Sequence, residues 1–426
     1  MAYASTVTFA MQNLFEAPAA GPETMDTDNS GDDDHGLPKM YKFSAADLGF
    51  KQFDVQFRAR RASQLGNTRR LLAADLVTPA VINGVADLLV NPLAADRIMV
   101  SVLGETYEPG KRTAPEGRGP APTARTAGDI TPVVLRITDR YWNTISVSTT
   151  VTVVTSDLFD ADPGVKTFTS SATINVTLIQ AGTQTVTATG AGITTNLANP
   201  SSEIPVGSQG INQLIATLPG EYRVQGGAPG KSGTLSPRVA GSTFPVTVYG
   251  VDQFYNTVTS SVIVVSADIN SDANALVPPT QSLVSGATTF ILAAVTAATH
   301  TIRAQTSAAI AVPSYVTPNF FTVWWDKPAR LQLIAEGQTA APGKSPYVDN
   351  SIPPDGGRSV DTPAPLTAGT TTNLTVNLVD AYYNVVRGTT PFMNETALPV
   401  SSHTFLVELR FPTDPNIQAR GLAPTP

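Results

Sequence analysis

The chain carries one short pattern three times, and an internal repeat confines it to repeated units of one architecture. Each copy is Ala-Gly, an Asp eleven residues after the Gly, one further residue, two aromatics and an Asn. The copies run from Gly128 to Asp139-Arg140-Tyr141-Trp142-Asn143, from Gly241 to Asp252-Gln253-Phe254-Tyr255-Asn256, and from Gly369 to Asp380-Ala381-Tyr382-Tyr383-Asn384. Between Gly and Asp the residues alternate apolar and polar: Val133, Leu135 and Ile137; Val246 and Val248; Leu374, Val376 and Leu378. Period two predicts a half-buried strand. Asp and Asn then bracket a tight turn, because their short side chains bond nearby backbone and tolerate unusual dihedrals. Each copy therefore reads as one strand and its turn in a repeated β-domain. Recurrence once per domain marks Asp139, Asp252 and Asp380 as turn-fixing, since a catalytic carboxylate is usually needed once.

The repeat extends both ways. Pro-Gly-Lys precedes it at Pro109, Pro229 and Pro342; the octapeptide from Ala181 to Ala188 is echoed from Ala297 to Ala304 and, more loosely, by Asn416-Ile417-Gln418-Ala419. Three junctions share one design, an apolar strand, a short break and another apolar strand. They span Val85 to Leu103, Ile204 to Leu218 and Phe320 to Ala335, with breaks at Asn91-Pro92, Gly207-Ser208 and Asp326-Lys327-Pro328. Breaks this short favour a stiff rod over beads on a flexible string. The domains expected are 92-207, 208-327 and 328-426, preceded by a partial one at 1-91; the last is expected to lack its closing strand. Each full unit is about the 100 residues of an immunoglobulin-like sandwich, so the fold expected is all-β, tandem immunoglobulin-like β-sandwich domains arranged as a rod.

In the partial unit, Val7-Thr8-Phe9 stands where Val151-Thr152-Val153 stands later, and Tyr41-Lys42-Phe43 with Gly49 to Val55 match the later pair of strands. Between them lies an acidic loop. Counted from Asp26, the oxygens of Asp26, Asp28, Ser30, Asp32 and Asp34 fall on alternate positions, with Gly31 at the sixth, as in the front of a calcium loop. Position twelve is Leu37, so the bidentate Glu of an EF-hand is absent. The alternatives are a calcium site and a solvated acidic loop.

Composition narrows the function classes. Charged residues are 14% against hydrophobic residues at 42%, so Thr, Ser, Asn and Gln must carry the surface, as in sheet-rich exported proteins. The net charge of −7 demotes a nucleic-acid binder. There is no cysteine, hence no disulfide framework and no thiolate chemistry. No apolar run is long enough to span a membrane as a helix.

The Val-Asp-x-aromatic-x-Asn turns at Asp252 and Asp380, their variant at Asp139, and the octapeptide from Ala181 to Ala188 resemble the immunoglobulin-like repeats of large bacterial surface proteins. These are broadly the invasin and intimin type and the arrays of giant exported repeat proteins. The resemblance covers roughly residues 92 to 426 well and 1 to 91 partially. Such relatives usually have Gly where Trp142, Tyr255 and Tyr383 stand. The resemblance implies a stalk, filament or adhesive rod outside a bacterial cell.

Residues that could carry catalysis are scattered. His35, His300 and His403 have no ligand spacing, and no Ser sits in a nucleophile elbow; no enzyme activity is expected. Neighbours in a strand point to opposite faces, so one of each aromatic pair should be core and the other a contact residue. The contact candidates are Trp142, Tyr255 and Tyr383, for packing at junctions, against other subunits or against sugars. Trp324 and Trp325 are candidates for locking the last junction. The function expected is a structural segment of an extracellular bacterial filament, sheath or stalk that self-associates as a homopolymer, with calcium as the candidate cofactor. The alternatives are an adhesin or rod binding surface glycans, and the stalk of a larger exported enzyme.

Overall fold

The computed structural model describes residues 6–12, 40–52, 68–75, 84–111, 115–190, 199–260, 263–307, 312–347, 356–368 and 370–387. Their regular structure is β-strand, apart from one 3-10 turn at Ala45–Asp47. The chain divides into two compact units. The first is Met1–Gln209 with Gln225–Ala228 and Phe254–Asn256; the second is Gly210–Val224, Pro229–Gln253 and Thr257–Pro426.

In the first unit, Ile130–Thr138 lies between Arg97–Val102 and Ser171–Thr177, with Val133 opposite both Val102 and Ile174. A second sheet has Ser148–Thr155 between Gly164–Thr169 and Val186–Gly190, with Asn199–Pro200 beyond. Alternation along the strands decides what meets between the sheets. Val133, Leu135 and Ile137 point inward, fully buried, against Val151, Val153, Val186 and Ala188. Each such side chain contributes about 1.5–3 kcal/mol on burial, so this row fixes the strand's register. The strand Ile204–Gly207 closes the domain, antiparallel to Gly182–Gln184 and parallel to Arg125–Thr126. That parallel pair brings Ala127-Gly128 to one end of the sandwich, where Ala127 donates its N–H to Gly207 O and Gly128 donates its N–H to Leu178 O, both at 2.8 Å.

The N-terminal strands of this unit form one sheet in which Thr6–Gln12 lies between Met40–Lys42 and Thr68–Asp75, with Gly84–Leu89 at the edge. The strand expected at Gly49 to Val55 is corrected here. Residues 49–52 form no strand, 53–55 lie outside the described residues, and the strand beside Thr6–Gln12 is Thr68–Asp75.

The second unit repeats the topology. Thr243–Val251 lies between Gln213–Thr217 and Ala287–Ala293; the facing sheet runs Gln281–Ser282, Val264–Ile269, Ile302–Thr306, Tyr315–Val316. Phe244, Val246 and Val248 point into its core with Phe290, Leu292 and Ile302. The strand Phe321–Trp324 closes it, parallel to Arg238–Val239. A further strand pair follows, Arg330–Ile334 with Thr375–Val379. The architecture is all-β and immunoglobulin-like: antiparallel sheets stacked face to face around one core, each with a parallel closing pair.

Candidate functional site

The repeated turn is a cage around one carboxylate. In the third copy Asp380 Oδ1 accepts the N–H groups of Tyr382 at 2.8 Å and Asn384 at 2.9 Å, while Oδ2 accepts Asn384 Nδ2 at 2.9 Å and the Asp326 N–H at 3.0 Å. The first copy is built alike. Asp139 Oδ1 accepts Tyr141 N–H and Asn143 N–H at 2.9 Å each, and Oδ2 accepts Asn143 Nδ2 and Leu93 N–H at 3.0 Å each. These carboxylates are buried, and burial pushes the Asp380 carboxyl up against the lowering pull of its Asn384, Asp326 and Tyr382 donors. With four donors around two oxygens, the carboxylate pins the turn and ties it to the strand entering its own repeat.

The second aromatic of each copy sits in the left-handed region, with φ of 67° at Trp142, 63° at Tyr255 and 66° at Tyr383. A side chain there costs about 1–2 kcal/mol. Glycine adopts this conformation without that cost; here each of the three positions carries a ring instead. Gly117 and Gly357 make the room, since a Cβ on either would fall inside 3.0 Å of Trp142 or Tyr383. The Arg97 guanidinium lies 4.7 Å over Trp142 and Arg330 lies 4.8 Å over Tyr383, adding about 0.5–2 kcal/mol each.

From this turn the Asn reaches into the repeat before it. Asn384 Oδ1 accepts the Ala297 N–H at 2.7 Å, and Nδ2 donates to Val295 O at 2.9 Å as well as to Asp380. Asn256 does the same, accepting from Ala181 N–H at 2.8 Å and donating to Ile179 O at 2.7 Å. A carboxamide supplies one acceptor and two donors, and no other side chain of this length does so.

The receiving loop is held from its other side by a second Asp. Asp157 Oδ2 accepts the N–H groups of Ile179 at 2.6 Å and Gln180 at 2.8 Å; Asp272 Oδ2 accepts those of Val295 at 2.8 Å and Thr296 at 3.0 Å. The remaining carbonyl is taken by Gln184 Nε2, 3.2 Å from Gln180 O, and in the next repeat by His300 Nε2, 2.7 Å from Thr296 O. A carbonyl can only accept, so His300 Nε2–H is the donor to Thr296 O, and Nδ1 is hydrogen-bonded to Ser271 Oγ at 2.9 Å. Ser156 plays that part for Gln184 at 2.6 Å.

The glycine of the Ala-Gly pair has its reason here. Phe254 covers Gly128 and Tyr382 covers Gly241, so a Cβ on either glycine would fall inside 3.0 Å of a ring. Their φ values of 85° and 78° also favour glycine. The preceding alanines, Ala127 and Ala240, are core residues.

The expected contact residues are placed differently from one another. Trp142 and Tyr383 are buried, 6% and 2% exposed, so neither ring is open to a partner in trans; Tyr255 is half-buried. Contrary to the expectation from strand alternation, both aromatics lie in the turn, outside the strand, so the backbone does not send them to opposite faces. In the second and third copies it is the first aromatic, Phe254 or Tyr382, that covers the preceding repeat. Trp324 and Trp325 are half-buried and edge-to-face at 5.5 Å, and both indole N–H groups are buried without a hydrogen-bond partner. Asp26, Asp28, Ser30, Asp32 and Asp34 lie outside the described residues, and among the described ones no group of three His, Asp or Glu is placed to hold a metal. Sequence reasoning missed Asp157 and Asp272. Their signal was present: Ser156-Asp157 and Ser271-Asp272 each follow the central strand of the second sheet.

No family model matches the chain, and no curated protein matches it. Solved structures do match, weakly. One is an Escherichia coli adhesin, FdeC, at 16% identity and TM-score 0.28, over 70% of this chain and 77% of that one. A second is a β-glycosidase from Bacteroides vulgatus at 10% identity and TM-score 0.22, over 54% of this chain and 25% of that one. A third is the Yersinia pseudotuberculosis adhesin InvE at 14% identity and TM-score 0.21, over 58% and 68%. The chain thus spans about three quarters of the first of these and a quarter of the second, and likenesses this weak carry no functional argument.

Proposed function

We propose that this chain is a structural segment of an extracellular bacterial filament, sheath or stalk, in which immunoglobulin-like repeats are coupled stiffly and the chain self-associates through strand edges. One observation carries the reading: the same asparagine reaches from one repeat into a loop of the repeat before it at both Asn256 and Asn384. A coupling made by hydrogen bonds of buried carboxamides suits a load-bearing array better than a flexible tether. The strand Gly164–Thr169 offers an edge for self-association: its outer side has no neighbour among the described strands, and Val165 is exposed. Calcium binding by the loop from Asp26 to Asp34 belongs to the same proposal. Glycan binding through Trp142 or Tyr383 is disfavoured by their burial.

Electron microscopy of the native material, paired with light scattering of the purified chain in calcium and in chelator, tests the reading. Ordered polymers are the expected result, with order lost in chelator if the acidic loop holds an ion. Monomers indifferent to calcium at all concentrations would overturn both parts.

A further inference from the structure

The hairpin after the strand Ser148–Thr155 carries three carboxylates within six residues, Asp157, Asp160 and Asp162. Two are occupied by backbone donors. Asp157 Oδ1 accepts Phe159 N–H at 3.0 Å and its Oδ2 holds Ile179 and Gln180, while Asp162 Oδ1 accepts Thr155 N–H at 2.7 Å. Asp160 has much less. Its Oδ1 accepts the Thr155 hydroxyl at 2.8 Å, and its Oδ2 is buried with no hydrogen-bond partner.

Among the described residues no cation acts on Asp160. The Phe159 ring packs on Gly226 and Gly227, and neither residues 179–184 nor 225–228 include a Lys, Arg or His. Lys166, farther along the same hairpin, lies opposite Val151 in the ladder, and the groups acting on Asp160 by charge are Asp157 and Asp162. An ionised Asp160 therefore has a desolvated oxygen and two like-charged neighbours, and a proton relieves both.

We infer that Asp160 is a proton-operated latch: on protonation the hairpin from Asp157 to Asp162 tightens, and with it the hold of Asp157 on Ile179 and Gln180 and of Phe159 on Gly226 and Gly227. Asp157 accepts three N–H groups, so the removal of a neighbouring negative charge strengthens its hold. Burial first, then Asp157 and Asp162, push the Asp160 carboxyl up to about 6 from 3.8. A raised acid contributes stability that is complete below its unfolded value and lost as pH rises through its folded one, so the latch loosens between about pH 4 and pH 7. The second unit has no counterpart, because Asp272 is followed by Ala273, Asn274 and Ala275. This inference stands apart from the filament proposal and does not need it.

Hydrogen exchange on the full chain at pH 5 and pH 7.5, corrected for intrinsic rates, tests it. The amides of Ile179 and Gln180 should be protected roughly threefold or more better at pH 5. Val295 and Thr296, held by Asp272, serve as the internal reference and should show no such step. In Asp160→Asn the acid level of protection should persist at both pH values. In Asp162→Asn, which removes one repelling charge, the step should move to lower pH. An unchanged step in Asp160→Asn, or an equal step at Val295 and Thr296, would overturn the latch. So would calcium at pH 7.5 reproducing the acid protection, which would make the hairpin a cation site. If Asp160→Asn does not fold, an unmoved step in Asp162→Asn decides against the inference on its own.

Discussion

Asn384 and Ala297, 87 residues apart in sequence, are joined by a 2.7 Å hydrogen bond from the Ala297 N–H to the Asn384 side-chain oxygen. Since Asn384 Nδ2 also donates to Val295 O and to Asp380, the carboxamide uses both donors and its oxygen to hold one repeat's turn against another repeat's loop. Replacing it with Asp removes both donors and sets a second carboxylate beside Asp380. Asn384→Asp should destabilise the second unit by about 2–4 kcal/mol, and Asn384→Ala by about 2–3, through buried groups left unpaired. Urea unfolding followed by Trp324 and Trp325 fluorescence measures both; a change under about 0.5 kcal/mol in each would remove the clamp from the argument.

Two glycines of similar φ should respond differently to the same change. Gly241 is covered by Tyr382 and has φ of 78°, whereas Gly164 has φ of 70° with nothing within 4 Å of an added Cβ. Gly164→Ala should cost only the left-handed penalty, about 1 kcal/mol. Gly241→Ala should cost that and a further 1–3 kcal/mol for displacing the ring. Equal midpoint losses in thermal unfolding would mean that Tyr382 moves aside freely.

Gln184 and His300 perform one task in successive repeats, each donating to a loop carbonyl and meeting a Ser. His300→Gln should therefore be mild, under about 1.5 kcal/mol, while His300→Leu should cost about 2–3 by leaving the Thr296 carbonyl and the Ser271 hydroxyl without this partner. The comparison of the two variants in one denaturant series is the test. Similar losses would show that ring packing against Phe321, at 6.0 Å, governs the site instead.

Tyr383 sets backbone strain against ring burial. Tyr383→Gly relaxes the φ of 66° but empties a buried slot beneath Arg330 and beside Tyr347, whose ring lies 6.4 Å away. Ring loss of about 3–5 kcal/mol outweighs relief of about 1–2, so the net effect should be destabilisation of about 2–3 kcal/mol. A variant more stable than the parent would mean that the strain, and not the ring, dominates.

Much of the strand pattern was legible because a sheet's period is two and its inner face must be apolar. Val133, Leu135 and Ile137 declared themselves by alternation, and all three are buried. The Asp-to-Asn turn was legible because those residues close turns on themselves, as Asp139 and Asp380 do. Residues 49–52 misled because a short stretch without a pairing partner looks like an edge strand, and only pairing partners distinguish them; Thr68–Asp75 had the partners.

The sequence by itself determined the repeat, the strand faces and the turn chemistry, since each depends on residues close together in the chain. Only the tertiary structure decided what the turn does beyond closing itself. Whether Asn384 meets water or the Val295 and Ala297 backbone, and whether Gly241 is an idle turn residue or a seat for Tyr382, depends on groups some 90 to 140 residues apart brought within contact. Local propensity contains no information about such distances. It is set by core packing, which places the ends of the sandwiches and leaves their polar loops to find partners there.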